Sequence, residues 1–229
     1  MNGKLWSLVI LLIFLIFLMI FGFGAQMEKL NGMMLMSPKG WETKYSRIRK
    51  LLSIYPRMFV HQQGLAHLLP NLIFFLIMSY FLHRYMGDQA SMWLLLFVII
   101  APIYGSVTLF VWKPNVNSFG FSGIIYAMAG GLLSLLIVRW NKFSKRHKIE
   151  LILIHCLFFA SNAAIIIKPP FAIGHTYNIG AYIAGMLLVW GFYNEKYSIE
   201  NTLESMRFYL ASIGLIGYFG WHLTQLFAN

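Results

Sequence analysis

Long stretches of apolar residues, separated by short polar or basic joints, set the rhythm of this chain. Apolar runs of about 20 residues are long enough to cross a hydrocarbon core of roughly 30 Å as helices. Seven can be read: Leu5–Gly24, Gly64–His83, Ser91–Trp112, Gly120–Trp140, Ile149–Ile167, Ile173–Tyr193 and Phe208–Phe227. The pattern predicts an all-α polytopic membrane protein, a single domain over residues 1–229. The first run is too long for a signal-peptide core and lacks a convincing cleavage site, so it is expected to be a spanning helix. The joint at 26–63 is the long one. Its Trp41, Tyr45, Ile48, Leu51, Leu52 and Tyr55 have a spacing that suits a short amphipathic helix lying in the membrane interface.

Composition strengthens this picture. The chain is 59% apolar and 11% charged, whereas a soluble domain is about a quarter charged. Its net charge of +11 would suit nucleic acid, but the basic residues sit in the joints between apolar runs, where anionic lipid headgroups are the expected contact and nucleic acid is not. The joint after the fourth run carries Arg139, Lys142, Lys145, Arg146 and Lys148 and should be cytoplasmic. The N-terminus is then cytoplasmic and the C-terminus external. The long first loop is external in spite of its basic residues, held by its own apolar face. Cys156 is the lone cysteine. It rules out an intrachain disulfide, offers no metal cluster, and is expected to serve packing; no metal or cofactor is expected.

The second, fourth and sixth runs share one direction, and each opens on its odd polar residues. These are His61, His67 and Asn71 in the second, Ser122 in the fourth, and His175, Tyr177, Asn178 and Tyr182 in the sixth. Polar groups at membrane depth are costly without partners or water, so their shared depth points to a pocket below the outer surface. Ser122 stands at a helix start, where unpaired backbone N–H groups favour developing negative charge and nearby glycines admit other backbone. The bland alternative is an N-cap or a helix-packing serine. His67 and Asn71, four apart, share a helix face and could donate to one oxyanion, or pair as structural glue. His83, Arg84 and Asp88 read as flank residues. His147, His155 and His222 read as structural.

These residues resemble the rhomboid family of intramembrane serine proteases. HQQGLAHLLPN carries His67 and Asn71 at the family's H-x-x-x-N spacing, GFSGIIYAMAG its G-x-S-G motif, and GAYIAG is similar to its G-A-H-x-x-G signature. The resemblance implies a six-helix bundle plus a seventh, C-terminal transmembrane helix at 208–227. It also implies that the substrates are transmembrane segments of other membrane proteins, reaching the site sideways from lipid. Ser122 would be the nucleophile, with His67, Asn71 and the Ser122 N–H as oxyanion donors. Gly120, Gly123, Tyr126 and Gly185 would support the site. Tyr182 stands where the family has its base histidine, and a phenol titrating near pH 10 is a poor acceptor for a serine proton at neutral pH. His175 is the substitute, but roughly 10 Å of helix rise separates it from Tyr182; only an irregular helix start around Pro169, Pro170 and Gly174 would bring it into reach. Two functions remain in play: an intramembrane serine endopeptidase, and an inactive pseudoprotease that binds client membrane helices.

Overall fold

The computed structural model describes residues 3–17, 65–112, 121–166, 174–193 and 202–228. The interfacial segment expected at 26–63, Gly120, Pro169 and Pro170 lie outside them. The described elements are helical: α1 Gly3–Phe17, α2 Leu65–Met86, α3 Ala90–Trp112, α4 Ser122–Val138, α5 Lys145–Ile166, α6 Gly174–Phe192 and α7 Thr202–Ala228.

The outward faces show which solvent the bundle suits. In α1, Leu5, Val9, Leu12 and Ile16 repeat at helical spacing and are buried, yet Ile10, Leu11 and Phe14 on the other side are exposed. The same holds for Leu69 and Ile73 on α2, Leu153 and Leu157 on α5, and Ile213 and Ile216 on α7, the last two 67% and 71% exposed. A helix facing water puts charge on that side. Large aliphatic side chains in this number make a surface for lipid tails or another apolar partner.

Residues Leu68–Leu109 form one apolar run of 42 residues, long enough to cross a membrane. Gly87 bends it into α2 and α3. Its φ of +56° lies in the left-handed region that side chains disfavour, and glycine reaches it without strain. A short 3-10 turn, Gly87–Gln89, then leads into α3.

Helix α4 is the centre. Between Gly123 and Leu136, Leu133 is half-buried and every other residue is buried. Helices α3 and α6 flank α4, α2 runs beside it from end to end, and α5 meets it at Tyr126 and Ala129. Phe75 meets Phe121, and Arg139 Nη1 donates to the Tyr85 carbonyl at 3.1 Å, so α2 and α4 run in parallel. Ser134 Oγ donates to the Met186 carbonyl at 2.7 Å, deep in the contact of α4 with the parallel α6. Helix α7 lies across α3 and α6, where Tyr104 Oη donates to the Leu215 carbonyl at 2.9 Å and Phe208 packs on Phe192.

Three local expectations change. Helix α5 starts at Lys145, not Ile149, because Ser144 caps it: the His147 N–H donates to Ser144 Oγ at 3.3 Å and the Lys148 N–H to the Ser144 carbonyl at 3.1 Å. Lys145, Arg146 and Lys148 therefore belong to its first turn. Glu150, one turn on, sits 3.0 Å from both Arg84 and Arg146 and accepts from Tyr85 Oη at 2.7 Å. Arg84 thus ties α2 to α5 instead of merely flanking a span. Cys156 is exposed on α5 rather than packed. From Leu151 onward its apolar residues fall on every side, so no periodicity in the sequence marks which face turns outward.

Candidate functional site

Ser122 is the first residue of α4. Phe121 before it is the N-cap position and makes no side-chain cap bond. The first backbone N–H groups of α4 have no partner within the helix and point out of its start. An N-capping serine would accept from those groups. Ser122 instead sends its hydroxyl across to α6, where Oγ donates to Asn178 Oδ1 at 3.0 Å. Ser122 is half-buried and Asn178 is 8% exposed, so the pair sits at the edge of the core.

Glycines set how α6 lies against α4. A Cβ on Gly123 would strike the Tyr177 ring, 2.8 Å from its hydroxyl, and one on Gly105 would stand 2.7 Å from the same ring. Tyr177 is therefore wedged between α3 and α4 beside Ser122. Further along, Gly130 lies under the Tyr182 carbonyl and Gly185 under the Ala127 carbonyl. Each helix makes room for the backbone of the other, the close approach that small residues allow in membrane bundles.

These contacts place the levels. Asn178 is opposite Ser122, while the Tyr182 carbonyl, one turn later, lies over Gly130. Four residues of helix are about 6 Å of rise. The Tyr182 ring turns toward α5, edge-on to Phe159 at 5.5 Å between centroids. His175 is in the first turn of α6, three residues before Asn178, or about 4.5 Å of rise. It is closer to the serine's level than its spacing from Tyr182 implies. The helix is already regular from Gly174, so no irregular start brings it there. The side chains of His175 and His67 lie outside the described ones; His67 is in the first turn of α2.

Asn71 is half-buried on α2, one turn before Phe75, whose ring meets Phe121 edge-on at 4.7 Å between centroids. Among the described residues its Nδ2 is buried without a hydrogen-bond partner. This is a donor held near the start of α4 with no acceptor among the described residues. Tyr126, one turn below Ser122, packs edge-on against Phe158 of α5 at 4.7 Å, and its hydroxyl lies near the Asn178 amide. Of the residues singled out in the sequence, the structure brings Ser122, Gly123, Tyr126 and Asn71 to one end of α4. It sets Tyr182 and Gly185 deeper in the α4–α6 contact.

Asn178 is the residue that sequence reasoning passed over. It belongs to the polar opening of the sixth run, but the G-A-Y pattern drew attention one turn further. An amide oxygen is a hydrogen-bond acceptor with no useful basicity, so the pair as it stands holds the serine hydroxyl without taking its proton.

A family model described as the Rhomboid domain matches residues 48–195, which includes Ser122, Asn71, Asn178 and Tyr182. No curated protein matches the chain.

Proposed function

Because the chain belongs to the rhomboid family, and is thus an integral membrane protein of a family that acts on membrane-protein substrates in the bilayer, we propose that it is a pseudoprotease holding client transmembrane helices. The observation that carries this is the 3.0 Å bond from Ser122 Oγ to Asn178 Oδ1. A serine is a weak nucleophile until a base removes its proton. Here the facing atom is an amide oxygen, and Tyr182 turns its ring to Phe159. The rhomboid scaffold is retained, and with it a surface for membrane helices.

In this reading the chain crosses the membrane seven times, with the N-terminus and the basic joint at Arg139–Lys148 cytoplasmic and Ser122 toward the external side. Helix α4, with 17 residues, is about 25 Å long, shorter than a hydrocarbon core of roughly 30 Å. Ser122 would then begin its helix below the membrane surface.

A second reading, the active serine endopeptidase, is favoured by Asn71 Nδ2, which has no partner among the described residues. A buried donor near the start of α4 is what an oxyanion requires; in this reading His67 and the Ser122 N–H are the further donors and His175 the base. A fluorophosphonate probe on the purified protein in lipid nanodiscs separates the two. The pseudoprotease reading expects no labelling of the parent and photocrosslinking of transmembrane peptides to it. Labelling that Ser122→Ala abolishes would establish the protease instead.

A further inference from the structure

The family pattern marks residue 182 as the base position, yet the side chain that meets the Ser122 hydroxyl is that of residue 178. Its amide lies between two hydroxyls. Oδ1 accepts from Ser122, which leaves the NH2 group on the side of the Tyr126 hydroxyl. A nucleophile, an acceptor within hydrogen-bond reach, and a third group orienting that acceptor are the layout of an activated serine. Only basicity is missing.

We propose that position 178 is the base position of this site, occupied by a non-basic asparagine, and that Tyr182 is a packing residue of the α5–α6 contact. The proposal rests on the reading that the chain is not a working protease. The interlock of α4 and α6 supports it. Bringing residue 182 to the level of Ser122 would slide α6 by about one turn, roughly 5.4 Å. Tyr177 in its slot between Gly105 and Gly123, and the Tyr182 carbonyl over Gly130, stand against that movement.

The test is fluorophosphonate labelling of the full chain in nanodiscs, with Tm measured for every variant. In Asn178→His the imidazole takes the hydroxyl proton as Ser122 Oγ attacks phosphorus. The new O–P bond forms, the P–F bond breaks, fluoride leaves with its electron pair, and the proton passes from the imidazolium to solvent. The expected result is labelling at least about tenfold above the parent, with a rate that rises as pH passes about 6.5, where imidazole loses its proton. Adding Tyr126→Phe should cut that labelling severalfold, because the imidazole loses its orienting partner. Tyr182→His should stay silent, as should Asn178→Leu, which removes the acceptor without supplying a base.

Any labelling of Tyr182→His overturns the proposal, as does a folded but silent Asn178→His, or one whose labelling ignores pH. Should Asn178→His fail to fold, Asn178→Asp puts a carboxylate at the same place and must label above the parent, and its silence likewise counts against the proposal. Labelling of the parent itself would instead sink the pseudoprotease reading, so the two failures are distinct.

Discussion

Helix α4 is held in two different ways on its two sides. Toward α6 the contact is backbone on backbone: Gly130 under the Tyr182 carbonyl, Gly185 under the Ala127 carbonyl, and Ser134 bonded to the Met186 carbonyl. Toward α5 it is made by long side chains reaching across. Phe158 touches Phe74 and Tyr126, and the His155 ring lies 2.8 Å from the Ala129 carbonyl. At its start α5 is tied to α2 instead, where Glu150 gathers Arg84 and Tyr85 together with its own helix's Arg146. In lipid the hydrophobic effect does not press helices together, so dispersion and polar contacts decide which pairs are tight. The α6 side therefore fixes the geometry of Ser122, and the α5 side can loosen without moving it. In the pseudoprotease reading, a client helix arriving from lipid would meet less resistance on the α5 side.

The comparison can be broken most severely at Gly185. A side chain there collides with backbone, which cannot swing away, so Gly185→Leu is expected to cost at least about 3 kcal/mol and to abolish a monodisperse peak in size-exclusion chromatography. A well-folded Gly185→Leu would show the seam to be less tight than its geometry implies. Phe158→Ala comes next, since a buried aromatic truncated to alanine loses about 3 kcal/mol. Its signature should be local: faster hydrogen exchange in α5, with α4 and α6 still protected. Equal loss of protection in all three would erase the distinction between the two sides. Ser122→Ala removes one neutral hydrogen bond and should lower stability by about 1 kcal/mol, read as a small fall in Tm. Cys156→Ala, on the outward face of α5, should stay within about 0.5 kcal/mol of the parent. A large fall in Tm on that change would return Cys156 to a packing role.

Much of the fold was legible in the sequence because its cues are local. Apolar runs of spanning length mark helices wherever they fall, and the ends of the second, third and sixth runs came within a few residues of α2, α3 and α6. The basic cluster before Ile149 misled, since charge was read as a joint while Ser144 had already capped the helix. The outward turn of Cys156 was hidden for a related reason: beyond Glu150, α5 has apolar residues all round and carries no stripe to orient it. At the site, Ser122 at a helix start and Asn71 on the second helix were readable from spacing. Asn178 was visible as one of several polar residues, but nothing local distinguished it from Tyr182 one turn on.

The sequence alone determined the helices, their lipid-suited surfaces, and Ser122 at the first turn of α4, because hydropathy and helix ends are properties of neighbouring residues. Which residue of α6 faces that serine was decided by the tertiary structure. That choice depends on how Gly123, Gly130 and Gly185 mesh with Tyr177, Tyr182 and Ala127, residues more than fifty positions apart whose relative height no local spacing encodes.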